Sequence, residues 1–130
     1  MQLTNILRDI AEDAERDRIY LPLDDLARYG ITEADVKSGK ELLKHPAWKP
    51  FVEEYIERCD RYREKAFKLF GLLDRSSRYS PAAMATFYQS ILKKIQRRGG
   101  DVFTERVQLS KAEKMVFAAY VYVRYRFLRF

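Results

Sequence analysis

The sequence predicts an all-α fold, and three observations carry that expectation. Apolar residues recur at steps of three and four through Leu3–Ala14, through Phe51–Leu73 and again through Tyr88–Ile95. Helix-start residues precede these runs, and Gly30, Gly39 and Gly99–Gly100 stand where helices would stop. No second segment offers a partner for a strand.

The elements follow in chain order. A first helix runs from the start to about Asp17, and Pro22 closes the link after it. Asp24–Tyr29 makes a short helix, with Gly30 at the position after its cap. Thr32 caps another short helix, Asp35 lies three residues on, and Gly39 ends it. From Pro46 or Pro50 a long helix carries Phe51, Tyr55, Cys59, Tyr62, Ala66, Leu69 and Leu73 on one side. Ser80 and Pro81 read as an N-cap and first-position pair opening a helix to about Arg98. Ser110 and Glu113 form a capping box for a last helix that runs nearly to Phe130. Ala119–Phe130 is aromatic and β-branched enough to pass for a strand, but the box favours helix.

Composition bounds the class. The 130 residues suffice for one core, and 47% hydrophobic with 34% charged residues describes a globular chain, expected to be a single domain over 1–130. One cysteine, Cys59, excludes an internal disulfide and a cysteine-rich metal site, and fits a reducing compartment. The charged first helix does not read as a secretory signal, and the longest apolar run, Met115–Val123, is too short to span a bilayer. A cytoplasmic or membrane-peripheral location is therefore expected. His45, alone before Pro46, reads as a loop residue.

The first helix holds the chemistry. At about 100° per residue, Gln2, Asn5, Asp9 and Asp13 fall within an arc about 80° wide, opposite Leu3, Ile6, Leu7, Ile10 and Ala14. Two carboxylates and two amides share one space, and hard oxygen donors of this kind suit Mg²⁺, which takes carboxylates together with substrate phosphates. The plainer alternative is a solvated face, with Arg16 pairing to Asp13 three residues before it. Another acidic pair at this spacing, Asp60 and Glu64, is crowded by Arg61, Arg63 and Lys65 and reads as surface ion pairing.

The string QxxNxxRDxxED over Gln2–Asp13, followed by RIYLP ending at Pro22, resembles the second aspartate-rich motif of the squalene/phytoene synthase family. Leu21–Val36 resembles the segment after that motif. Tyr88, Ile91, Leu92 and Ile95, then GGDVFTERVQLS (Gly99–Ser110), resemble a later block of the family. The resemblance implies the C-terminal half of an isoprenoid-synthase-type helical bundle across 1–130. It also implies a prenyltransferase activity: head-to-head condensation of two prenyl diphosphates, farnesyl or geranylgeranyl, through a cyclopropyl diphosphate.

The roles it implies are specific. Mg²⁺ would be held by Asn5, Asp9 and Asp13, with Gln2 positioning the ligands, a metal-bound water or the diphosphate. Arg8, Arg18 and Arg106 would hold the diphosphate through forked hydrogen bonds. Tyr20 and Tyr88 would line the site and face a carbocation. Each has a plainer reading: Arg8 and Arg18 as surface pairs, Tyr88 as core. NADPH would enter only if the product were squalene. Asp17 stands where the family pattern usually has glycine, so the turn before Arg18 is expected to differ.

Further expectations concern what the chain lacks and what it touches. The family's earlier aspartate-rich motif is absent from this sequence, so the chain alone is expected to turn over no prenyl diphosphate. The alternative function is a non-catalytic remnant that binds prenyl diphosphates or other proteins. The last helix is apolar around its circumference at Val116, Phe117, Tyr120, Val121, Tyr122, Val123 and Phe127, which predicts self-association. The net charge of +6 gathers at Lys93, Lys94, Arg97 and Arg98 and at Arg124, Arg126 and Arg129. These read as solvated helix-end cations. They are also compatible with a membrane surface, whereas nucleic-acid binding is disfavoured because no nucleic-acid motif accompanies them.

Overall fold

Leu7 and Ile10 from the first helix, Leu26 and Val36 from two short ones, Trp48–Tyr55 from the long helix and Ile91–Ile95 from the next bury into one apolar cluster. The chain, seen in a computed structural model, is described over residues 1–74 and 77–127, with side chains to residue 123. The elements are α1 (Gln2–Arg8), α2 (Ile10–Glu15), α3 (Leu23–Arg28), α4 (Glu33–Lys37), a 3-10 helix (Gly39–Lys44), α5 (Trp48–Phe70), α6 (Tyr79–Arg97) and α7 (Lys111–Phe127). No strand occurs among the described residues, so the all-α expectation holds. Among them, no helix is long and apolar enough to cross a membrane.

The long pair α5 and α6 packs side by side, with α1 on α6, α2 on α4 and α7 on α6. The short elements follow the predicted punctuation. Ile31 N–H reaches back to Leu26 O at 3.0 Å across Gly30, whose φ of 67° only glycine adopts freely. Thr32 and Asp35 close a full capping box on α4. His45 is a cap residue whose Nδ1 accepts from Ala47 N–H at 3.2 Å.

Four expectations are corrected. The first helix is not continuous to Asp17 but bends at Asp9 and stops at Glu15. Asp17 then takes φ 58°, the left-handed conformation that glycine favours and that aspartate tolerates better than most residues. Its exposed carboxylate pairs with Lys37 at 2.5 Å. α6 begins at Tyr79 with Arg78 as its cap residue, so Pro81 sits third in the helix and Ser80 is not the cap. The helix accepts this because N–H groups of the first turn need no intrahelical partner. Finally, α5 ends at Phe70, leaving Leu73 outside, and Tyr62 and Leu69 are exposed. The apolar stripe of α5 outruns the core there and walls a groove instead.

Two packing features place the later segment. Gly100, at φ 85°, lays its backbone on the start of α5: Trp48 Nε1 donates to Gly100 O at 3.1 Å. A Cβ there would lie 3.1 Å from Val52 Cγ2 and 3.2 Å from Trp48 Nε1. Trp48 also stacks on Phe51 and meets Phe103, with centroids 5.6 and 5.7 Å away. The strap from Val102 to Leu109 leaves from this junction, pinned by buried Val102, Val107 and Leu109.

The capping box of α7 forms as predicted. Ser110 N–H donates to Glu113 at 2.7 Å, Glu113 N–H to Ser110 Oγ at 3.1 Å, and Lys94 Nζ reaches Glu113 at 2.9 Å. The Ser110 N–H, Lys94 and the Ser110 hydroxyl pull the Glu113 carboxyl down from 4.5 to about 2. A depressed folded pKa gives stability that is full above the unfolded value and lost as pH falls through the folded one. Amide-exchange protection of α7 is therefore expected to fall between pH 5 and pH 2, and Glu113→Gln to flatten that dependence. An equal fall in the variant would assign the effect elsewhere.

The helix at Ala119–Phe127 is settled in favour of helix over strand. Of the residues placed around its circumference, Val121 is buried and Phe117 half-buried, whereas Val116, Tyr120, Tyr122 and Val123 are exposed. The side chains of Arg124, Arg126 and Phe127, and all of Arg129 and Phe130, lie outside the described residues.

Candidate active site

The bend at Asp9 sets the site. Asp9 has φ −100° and ψ 13°, off the helical basin, yet its N–H donates to Asn5 O and its O accepts from Asp13 N–H, both at 2.9 Å. Asn5, Asp9 and Asp13 thus remain stacked one turn apart across the bend, as their spacing predicts. Leu7 and Ile10, buried on either side of Asp9, anchor the opposite face.

Asp9 is the electrostatic centre, with its side chain 19% exposed. Arg8 Nε and Nη2 donate to its two oxygens at 2.7 and 2.6 Å, a bidentate pair. Arg106 Nη2 and Nε, from 97 residues away, approach Asp9 Oδ1 at 3.1 and 3.3 Å, and Arg106 Nε also lies 3.2 Å from Glu12 Oε1. Burial alone would raise the Asp9 carboxyl, but the hydrogen bonds and charge of Arg8, with Arg106 behind them, hold it below the usual carboxylate range. The Asp9 hydrogen bond in turn raises Arg8. Asp9 is ionised at neutral pH.

The neighbouring oxygens are differently placed. Asn5 Oδ1 is buried and has no hydrogen-bond partner among the described residues. Such an orphan costs about 1–3 kcal/mol unless something donates to it or it ligates a cation. Asp13 has no ion pair among the described residues, and the alternative pairing with Arg16 is not formed. An unsatisfied amide oxygen and a carboxylate flanking Asp9 fit a hard divalent cation. Among the described residues no group of three or more His, Cys, Asp or Glu side chains converges. A divalent cation here would have to complete its shell with water or phosphate oxygens.

Beside this face, α1, α5 and α6 enclose a groove of about 220 Å³ walled by Leu3, Cys59, Ala66, Phe70, Tyr88 and Leu92. Tyr88 lines this groove and packs edge-on against Phe87 at 5.7 Å. Burial pushes the Cys59 thiol up to about 11, which leaves it neutral lining.

The structure divides the predicted residues. Arg8, Asp9 and Arg106 meet at one locus, Asn5 lies one turn before Asp9, and Tyr88 lines the groove. Asp13, Arg18 and Tyr20 border a small depression with Ile6, Ile19 and Val36, and Tyr20 is 53% exposed. Gln2 is exposed in the first turn. Asp60 pairs with Arg63 at 3.0 Å, the surface pairing its neighbours predicted. Glu12 was not anticipated: helical spacing finds residues on the Asp9 stripe, and its partner Arg106 is distant in sequence. Arg63 and Gln89 at the groove were also not anticipated.

Comparison with known proteins bears on this locus. The squalene/phytoene synthase family profile matches residues 1–113. Phytoene synthase 2 of Zea mays is 42% identical over 123 residues, covering 95% of this chain and 30% of the relative. Phytoene synthase 2 of Solanum lycopersicum is 37% identical over 95% of this chain and 39% of its own length. Phytoene synthase of Arthrospira platensis is 38% identical over 127 residues, 98% of this chain and 40% of the relative. No solved structure matches. The chain thus spans 30–40% of the length of these relatives. The profile begins at the first helix and runs beyond Arg106, so the two segments that meet at Asp9 lie within one inherited unit. The chain belongs to the squalene/phytoene synthase family.

Proposed function

We propose that this chain forms the metal- and diphosphate-binding wall of a phytoene synthase-like prenyltransferase acting on geranylgeranyl diphosphate. The reaction assigned is head-to-head condensation through a cyclopropyl diphosphate, and a phytoene product needs no nicotinamide. The observation that carries the reading is the pairing of two unlike surfaces on one short helix: α1 leads into the hard oxygens and arginines around Asp9 and, through Leu3 and Thr4, walls an apolar groove against α5 and α6. An amphiphile with a diphosphate head and a hydrocarbon tail needs that pairing. The names of the relatives favour the C20 substrate over farnesyl diphosphate.

In this reading Asn5, Asp9 and Asp13 hold Mg²⁺, which when bound neutralises charge on the departing diphosphate. Arg8 and Arg106 face the phosphate oxygens with planar forks, and Arg18 does so from the Asp13 side. Tyr88 presents its ring at the groove mouth, where an aromatic face favours an allylic cation. Tyr20 has the same assigned role at the depression, and Gln2 positions ligands at the first turn. The groove walls exclude water from a cation that water would quench. Turnover belongs to the whole enzyme, because this chain supplies one acidic helix of the two that clamp diphosphate in the family.

The tail and the head can be tested apart. With Mg²⁺, a geranylgeranyl thiodiphosphate is expected to raise Tm by several degrees more than pyrophosphate, since each buried methylene contributes about 0.8 kcal/mol. Ala66→Trp fills the groove and should remove that increment while keeping the response to pyrophosphate. Persistence of the increment in Ala66→Trp would place the tail elsewhere.

A further inference from the structure

Two arginines hold Asp9, and they are not equivalent. Arg8 is the next residue in sequence, binds bidentately and is 17% exposed. Arg106 is 50% exposed and divides its guanidinium between Asp9 at 3.1 Å and Glu12 at 3.2 Å. Its backbone is fixed. Asp101 Oδ1 accepts from Phe103 and Thr104 N–H at 3.1 and 2.9 Å, and Arg98 Nη1 donates to Glu105 O at 3.2 Å. Val107, immediately after Arg106, is fully buried. Motion at this point therefore belongs to the Arg106 side chain alone.

Asp9 Oδ1 takes Arg8 Nε at 2.7 Å and Arg106 Nη2 at 3.1 Å, so a divalent cation arriving there meets the repulsion of two guanidinium groups, which is relieved if one of them withdraws. Arg8, bidentate and largely covered, is the less free of the two to move. Arg106 is the exposed partner, and half-exposed pairs are weak enough to exchange. Glu12 gives it somewhere to remain. We propose that Arg106 is a resident counter-cation of the site, which yields Asp9 to an incoming divalent cation while Glu12 keeps its guanidinium at the rim to receive diphosphate. This rests on the metal and diphosphate reading given above and adds a positioning residue, Glu12, to it.

The proposal predicts opposite signs for two ligands. In a calorimetric titration of the 130-residue chain, Arg106→Ala should bind Mn²⁺ alone about two- to fivefold more tightly, as a competing exposed cation is removed. The same variant should bind pyrophosphate, in saturating Mn²⁺, at least about tenfold more weakly, having lost charge-assisted bonds to phosphate. Glu12→Gln should leave Mn²⁺ affinity within about twofold yet weaken pyrophosphate, and Arg106→Lys should recover part of the pyrophosphate affinity. A merely structural role for Arg106 would weaken both ligands together. Unchanged or weaker Mn²⁺ binding in Arg106→Ala, with wild-type binding of Mn²⁺ and pyrophosphate intact, overturns the exchange and spares the underlying reading. A wild-type chain that binds neither ligand overturns both.

Discussion

Gly100→Ala is expected to lower Tm by about 10 °C. Two costs combine. A residue with a Cβ at φ 85° is strained, and the added carbon meets Val52 Cγ2 at 3.1 Å and Trp48 Nε1 at 3.2 Å. Neither neighbour can retreat. Val52 and Trp48 are both buried, on the first turns of the helix that anchors the core. Overpacking of this kind costs about 1–3 kcal/mol, and backbone strain about 1–2 kcal/mol more. The indole bond to Gly100 O, at 3.1 Å, would lengthen with the same shift. A functional consequence follows from the topology: the strap bearing Arg106 leaves from this glycine, so the variant should also lose Arg106 contact with Asp9. Thermal denaturation checks the first effect. A shift of less than about 2 °C would mean that the Gly100–Trp48 junction yields easily, contrary to its packing.

Much of this molecule was legible in the residue order, and the gaps have physical causes. Thr32 with Asp35 and Ser110 with Glu113 are local hydrogen-bonding signals, and both boxes form as spaced. The stripe Asn5, Asp9, Asp13 is equally local and survives the bend. The bend itself was not foreseen, because Asp9 leaves the helical basin where two arginines engage its side chain, and one of them comes from the far end of the chain. Helical periodicity overran the core in α5, since apolar residues that line a groove repeat with the same period as those that fill an interior. Hence Tyr62 and Ala66 read as core but wall the groove. Glu12 was invisible for a different reason. Its meaning lies in Arg106, and no spacing rule connects residues so distant. Asp17 was read as a departure in the turn, and its backbone takes φ 58°, a conformation that glycine adopts freely.

The carboxylates of the first helices carry the account, and their removal is expected to abolish ligand response outright. In the native chain, Mg²⁺ with pyrophosphate at about one hundred times its dissociation constant should add about 2.7 kcal/mol of stability. For a chain of this size that corresponds to a rise in Tm of about 10 °C. Asp9→Asn with Asp13→Asn keeps side-chain shape and helical content while removing both charges on which a hard cation depends. Asp60→Asn with Glu64→Gln, another acidic pair at the same spacing, supplies the comparison. The decisive measurement is the Tm of these three proteins with and without Mg²⁺ and pyrophosphate, each checked by far-ultraviolet circular dichroism for retained helix. The rise should be full in the native chain, full in the Asp60/Glu64 variant, and gone in the Asp9/Asp13 variant. An undiminished rise in the Asp9/Asp13 variant would contradict the site.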